Sequence, residues 1–188
     1  MPKPHGPGFT MRVYVDADHN GDLATCCSRT GFVVIFNRAP IYWFLNKQGS
    51  LETSNFGSKF CAIKFATEYV SGLHYKILMM VIPVDEPSFV FGDNQSVLCN
   101  TSNPASTLKK KSNIIAFDHV RDGVARDDWR TAYVNTHKTL EDLFTKPLSG
   151  DKRWKFVRML LHHLTCFIPR RPLFLHTLSF ECTTKLCI

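Results

Sequence analysis

The spacing of apolar residues changes near position 50 of this 188-residue chain, and the change restricts what the chain can fold into. Up to about residue 45, apolar side chains alternate with others or form short β-branched and aromatic runs, which is the pattern of strands. From Phe56 to Met80 they recur every three or four positions, which is the pattern of one face of a long helix. The two periods together predict an α/β fold, with helices packed on a sheet.

The same patterns predict the individual elements. The first three strands are expected at residues 11–16, 30–36 and 39–45, with a turn at Asn37-Arg38. The long helix is expected to be capped by Thr53 or Ser54 and ended by Pro83. The later elements are a strand at 88–92, a short helix to Cys99, a helix at 113–124, a strand at 131–135 and a helix at 152–164. This order predicts a mixed five-stranded sheet flanked by helices.

Composition limits the classes of protein that fit. Apolar residues make up 44% of the chain, which is enough to bury a core, and the net charge of +7 suits a polyanionic partner. The seven cysteines show no paired spacing, and the chain shows no targeting segment and no apolar run long enough to cross a bilayer. We therefore expect an intracellular protein, cytoplasmic or nuclear, that is neither secreted nor bound to a membrane.

The patterns divide the chain into four segments. Residues 1–10, rich in Pro and Gly, are expected to form a flexible leader, and residues 11–148 to form the main domain. An amphipathic helix is expected at residues 149–164. Residues 165–188 have no lasting period and are interpreted as a tail without a predicted structure.

Three aspartates stand where the predicted elements end or begin. Asp16 ends the first strand, Asp93 follows the fourth strand, and Asp142 opens a helical stretch after the fifth. Sites in open α/β sheets collect outside the carboxyl ends of the strands, and clustered carboxylates favour Mg²⁺ or Mn²⁺. Taken one at a time, each aspartate could equally be a capping or turn residue.

Seven short motifs in order carry a family resemblance. They are Tyr14–Asp18 with Gly21-Asp22, Ser28–Phe32, Pro40–Trp43, Lys47-Gln48, Glu52–Ser54, Gly92–Ser96 and Asp142–Leu148. From about residue 12 to residue 148, the chain resembles the ribonuclease H domain of copia-type retrotransposon Pol polyproteins. The resemblance implies a ribonuclease H-like fold, with a reverse transcriptase domain upstream in an intact polyprotein.

The resemblance also implies a reaction and its residues. Members of that family use four acidic residues and two metal ions to cut the RNA strand of an RNA–DNA hybrid. Matched by motif, Asp16, Asp93 and Asp142 take three catalytic and metal-binding places, but Lys59 stands at the position of the expected glutamate. Neither Glu52 nor Glu68 is well placed to replace it, so we expect weak Mg²⁺ or Mn²⁺ binding and impaired hydrolysis.

Three functions therefore compete. The chain is an RNA–DNA hybrid endonuclease, a catalytically silent nucleic-acid-binding module, or a decayed transposon fragment. Basic residues expected to contact phosphates are Lys109, Lys110, Lys111, Lys152 and Arg153. Trp43 and Trp129 are expected to pack in the core, not to stack on bases. An integrase core has a similar fold and requires a final glutamate on a helix. The residue at the corresponding spacing is Asp128, just before a predicted strand, so it fits that requirement poorly.

Overall fold

The computed structural model describes part of the chain. The described residues are 9–22, 24–84, 86–103, 105–106, 114–134 and 149–165, without the side chains of residues 152 and 159–165. Asp142, the run Lys109–Lys111 and nearly all of the predicted tail lie outside this range.

The described residues form five strands and four helices. In chain order they are β1 (Met11–Asp18), β2 (Arg29–Phe36), β3 (Ala39–Lys47), α1 (Asn55–Met79), β4 (Ser88–Gly92), α2 (Gln95–Ser102), α3 (Ile114–Ala125), β5 (Trp129–Tyr133) and α4 (Gly150–Thr165). The strands make one mixed sheet in the order β3-β2-β1-β4-β5. The mixed five-stranded sheet flanked by helices that the sequence predicts is confirmed.

Strand β1 lies at the centre of this sheet. It pairs antiparallel with β2, which pairs antiparallel with β3, so the first three strands form a meander. The predicted turn is present, and Asn37 adopts a left-handed conformation there (φ 55°) that suits asparagine. On the other side β1 pairs parallel with β4, and β4 pairs parallel with β5. Parallel pairing requires long crossovers, which the helices supply.

Helix α1 covers one face of the sheet and forms the core with it. Ser54 caps the helix, because its side chain accepts a hydrogen bond from the Gly57 backbone N–H at 3.2 Å. Fully buried side chains such as Phe60 and Val70 pack on the strand residues that point to this face. The helix ends at Met79, one residue before the end of the predicted apolar period at Met80 and four residues before Pro83.

Strand β5 begins two residues earlier than predicted. Trp129 starts the strand, is completely buried, and donates a hydrogen bond from Nε1 to the carbonyl oxygen of Val120 at 3.1 Å. The indole therefore joins β5 to α3 as well as filling the core. The expectation that Trp129 is a packing residue is confirmed.

Strand β3, at the edge of the sheet, differs from the expectation for Trp43. Ile41, Trp43 and Leu45 share one face of the strand by its two-residue period, and Trp43 is 64% exposed. The prediction that Trp43 packs in the core is wrong, because Tyr42 and Phe44 point to the core instead. Helix α4 contacts β3 and buries its own Phe156.

Among the described helices, none combines the length and the apolar character that a bilayer crossing requires.

Candidate functional site

The register of the central strands brings two of the predicted aspartates side by side. In the parallel pair, Val15 of β1 lies opposite Gly92 of β4. Each of these residues is followed directly by an aspartate, Asp16 and Asp93, so the two carboxylates meet at the same edge of the sheet. Asn94 then caps α2 by accepting a hydrogen bond from the Val97 N–H at 3.2 Å, which places Asp93 just before a helix N-terminus.

Lys59, in the second turn of α1, reaches both carboxylates. Its Nζ lies 3.3 Å from Asp16 Oδ1 and forms a close ion pair and hydrogen bond with Asp93 Oδ1. The side chains of Lys59, Asp16 and Asp93 are 12%, 1% and 10% exposed. The three form a nearly buried cluster with one positive and two negative charges. They line a small recess together with Ile63, Asn94 and three neighbouring residues.

A buried glutamine fixes the start of α1 relative to the sheet. Gln48 Nε2 donates to Thr30 Oγ1 at 2.9 Å and to the Ser58 carbonyl oxygen at 2.8 Å. Since Ser58 directly precedes Lys59, these bonds hold the lysine backbone in register with β2. The sequence analysis included Gln48 in the motif Lys47-Gln48 but assigned it no role. The role of Gln48 became visible only in the structure, where its side chain is buried directly after the end of β3.

The chain matches curated proteins in sequence. Two of them are the Retrovirus-related Pol polyproteins from transposons RE2 and RE1 of Arabidopsis thaliana, which are 25% and 26% identical to it over 144 residues, 77% of the chain. The chain spans about 10% of the length of these polyproteins. No family model matches the chain.

Solved structures of two ribonucleases H and of a viral protease-reverse transcriptase share its fold. RNase H1 from Halobacterium salinarum NRC-1 superposes with a TM-score of 0.56 at 14% identity, covering 78% of this chain and 98% of that one. LC11-RNase H1 in complex with RNA/DNA hybrid gives 0.54 at 14% identity, covering 69% and 88%. The foamy viral protease-reverse transcriptase in complex with RNA/DNA hybrid gives 0.52 at 13% identity, covering 82% and 22%.

The chain has a ribonuclease H-like fold and a distant sequence match to copia-type retrotransposon Pol polyproteins. This ribonuclease H-like domain has the sheet order that the resemblance implies, and the recognition made from the seven motifs is confirmed. At these identities the structural likeness establishes the fold and leaves the activity to be argued from the residues of the site.

The described side chains of the ribonuclease H-like domain do not fit the divalent ions that the resemblance implies. No group of three or more His, Cys, Asp or Glu side chains in the described part of the chain could hold a metal ion. Asp16 and Asp93 supply the hard oxygen ligands that Mg²⁺ prefers, but the Lys59 ammonium already lies between them. Asp142, the third expected ligand, lies outside the described residues.

The glutamates considered as substitutes for Lys59 are engaged elsewhere in the ribonuclease H-like domain. Glu68 pairs with Lys64 at 2.9 Å on an outer face of α1. Glu52 accepts a hydrogen bond from Cys61 Sγ at 3.7 Å. Burial, reinforced by this carboxylate, raises the pKa of Cys61 to about 11, so the thiol stays protonated.

The β1–β2 loop has its own set of polar contacts. Asp22 forms a salt bridge with Lys47 at 2.9 Å and accepts a hydrogen bond from Thr25 Oγ1 at 2.7 Å. These contacts lower the pKa of Asp22, and the Lys47 contact contributes most. The Asp18 carboxylate lies so close to Gly21 that a Cβ there would sit 2.0 Å from Asp18 Oδ2. These two aspartates therefore shape the loop and lie outside the Asp16–Asp93 cluster.

The predicted nucleic-acid contacts of the ribonuclease H-like domain are described only in part. Arg153 is exposed on α4. Lys152 belongs to the same helix, but its side chain lies outside the described set, as do Lys109, Lys110 and Lys111.

Proposed function

We propose that this ribonuclease H-like domain binds RNA–DNA hybrids or related nucleic acid but hydrolyses them poorly, because Lys59 replaces a catalytic glutamate. The observation that supports the proposal is the position of the Lys59 ammonium between Asp16 and Asp93. In this proposal the ancestral site used Asp16, Asp93 and Asp142 to hold Mg²⁺ or Mn²⁺, and that binding is now weak.

Charge explains why the replacement impairs hydrolysis. Two-metal cleavage of a phosphodiester needs two divalent cations about 4 Å apart. Exchanging a carboxylate for an ammonium changes the local charge by two units at the place where these ions would sit. A pair of unit charges 4 Å apart interacts by about 4 kcal/mol at an effective dielectric of 20. After screening and relaxation, several kcal/mol remain, which corresponds to a loss of roughly 10³-fold in rate.

Two features support nucleic-acid binding. The chain has a net charge of +7, and basic side chains cluster at Lys109–Lys111 and at Lys152-Arg153. Contacts of this kind hold a nucleic-acid backbone without reading its sequence. Two of the structures that share the fold were solved in complex with RNA/DNA hybrid.

The test compares the wild type with Lys59→Glu on a labelled RNA–DNA hybrid in MgCl₂ and in MnCl₂. We expect the variant to cut roughly 10³-fold faster, because the carboxylate removes the tethered cation and adds a ligand. Lys64→Glu, five residues further along α1 at a lysine that pairs with Glu68 on an outer face of the helix, is the matched control and should stay as slow as the wild type. Equal cleavage by wild type and Lys59→Glu would contradict the proposal.

Binding is measured separately, without divalent ions. We expect the wild type to bind the hybrid at low salt, with an affinity that falls linearly on a plot of log affinity against log salt. The slope is about −0.9 for each phosphate neutralised. Such binding without cleavage supports the silent module, whereas no binding at low salt leaves the decayed fragment.

The same proposal places the domain in a larger protein. Because the 144 aligned residues make up only 10% of each matched polyprotein, we propose that a reverse transcriptase domain lies upstream in an intact copy. The seven cysteines show no spacing typical of a disulfide framework, and this is consistent with a protein made and used in the reducing interior of the cell.

A further inference from the structure

The Asp16–Asp93 pair requires a positive charge nearby. The two side chains come from adjacent parallel strands and are almost completely buried. Two carboxylates in such a place repel each other, and each also loses its hydration. The paired strands at the centre of the sheet therefore end in an arrangement that is unfavourable unless a cation joins it.

Lys59 supplies this cation from within the chain. Its side chain is 12% exposed and contacts one oxygen of each carboxylate. The backbone from which it extends is held by the Ser54 cap and by the two hydrogen bonds of Gln48. A cation tethered in this way has a high effective concentration at the site, so a free ion must compete with it at a disadvantage.

We propose that Lys59 is a built-in counterion that takes the structural place of a bound cation, and that removing its ammonium converts the Asp16–Asp93 pair into a binding site for a divalent cation. In the wild type the β1–β4 edge is then stable without divalent ions. In a variant with a neutral side chain at position 59, the same edge depends on Mg²⁺ from solution. The inference rests on the ion-pair geometry and stands whether or not the domain binds nucleic acid.

Methionine is the appropriate replacement at position 59. It keeps the length and the apolar stem of lysine but lacks the charge, so the packing on Ile63 and Leu98 around the recess is disturbed little. Two buried carboxylates then remain without the Lys59 ammonium. Hard oxygen ligands of this type prefer Mg²⁺ over soft metals, and each bound ion stabilises the folded state by mass action.

The experiment measures the thermal midpoint, Tm, of the full chain in EDTA and in a series of MgCl₂ concentrations. We expect the Tm of Lys59→Met to lie roughly 10 °C below that of the wild type in EDTA. Its Tm should then rise with the logarithm of the MgCl₂ concentration, whereas the wild type stays nearly constant. Lys64→Met, which removes an ammonium from a more exposed ion pair of the same helix, should behave as the wild type.

A double variant keeps the test decisive. Lys59→Met combined with Asp93→Asn removes the repulsion, so its Tm should exceed that of Lys59→Met in EDTA and should not respond to MgCl₂. If Lys59→Met alone does not fold, recovery of the fold in the double variant supports the inference, and failure of both overturns it. A Tm of Lys59→Met equal to that of the wild type, or no larger response to MgCl₂ than that of Lys64→Met, also overturns it.

Discussion

His74, near the C-terminal end of α1, joins that helix to the start of β4. Its Nε2 lies 2.7 Å from Oγ of the fully buried Ser88, whose own backbone N–H donates to the Asp128 carbonyl oxygen at 3.1 Å. Burial lowers the pKa of His74, and the Asp128 carboxylate opposes part of this shift. The folded domain therefore favours the neutral imidazole.

This shift predicts a loss of stability in acid. The pKa of His74 is lower in the folded state than its value of about 6.5 in the unfolded chain, so the unfolded state binds the proton more tightly. The contribution of His74 is complete above that value and is lost as the pH falls below it. His74→Gln keeps a donor for Ser88 but does not titrate. In urea titrations from about pH 8 to about pH 5, the unfolding free energy of this variant should fall less than that of the wild type. Equal falls would contradict the prediction.

Single residues of the site were predictable to different degrees. Asp16 and Asp93 could be placed together because both follow predicted strands, and strand ends meet at one edge of a sheet. Lys59 could be assigned to the site only by the family resemblance, because helical periodicity does not say which turn faces a distant strand end. That its ammonium contacts both carboxylates depends on the helix position that Gln48 fixes, which no local pattern contains.

At the scale of the element, the end of α1 carries strain. Val81 adopts a left-handed conformation (φ 61°) after the helix, and its N–H donates to Leu78 O while Ile82 N–H donates to Ile77 O. This hydrogen-bond pattern is a Schellman motif, whose left-handed position favours glycine over a β-branched residue. The sequence analysis assigned the helix end to Pro83, since valine gives no signal for such a turn.

Val81→Gly should therefore stabilise the domain. Relief of the steric cost at this position exceeds the loss of the valine side chain, for a net gain of about 1 kcal/mol in unfolding free energy. Urea denaturation monitored by circular dichroism measures the change. Val84→Gly, at a half-buried residue that packs on the core without a positive φ, is the control and should destabilise. A less stable Val81→Gly would show that the turn is not strained.

Across the whole molecule, the edge strand β3 presents an apolar surface. Ile41, Trp43 and Leu45 are 44%, 64% and 49% exposed on a strand whose outer backbone groups have no neighbouring strand within the described sheet. Exposed apolar edges promote association between chains. We expect Trp43→Lys to reduce association of the purified protein in light scattering, with an unfolding free energy within about 0.5 kcal/mol of the wild type.

The control for this prediction lies one residue away. Phe44 points to the opposite face of β3 and stacks on Phe32 with ring centroids 5.0 Å apart, so Phe44→Lys should destabilise the fold itself. Unchanged scattering by Trp43→Lys would mean that the edge does not cause the association.

The global arrangement was predictable only where it is local in sequence. The antiparallel meander and the long helix follow from alternation, turn residues and period. The parallel pairing of β1 with β4 joins distant segments, Val13 with Val90, and no local pattern in the sequence indicates it. The exposure of Trp43 depends on which strand lies at the edge, so a strand-by-strand reading could not assign it.

During synthesis, the three strands of the meander leave the ribosome before α1 does. Each pairs with its neighbour in sequence, so the meander can form once residue 47 has emerged. Its inner face, which includes Val13 and Phe32, stays uncovered until the α1 residues have been synthesised. At the usual rate of elongation this takes on the order of seconds. In that interval the nascent chain displays a bare apolar sheet, which makes it a client for chaperones that shield unfinished domains.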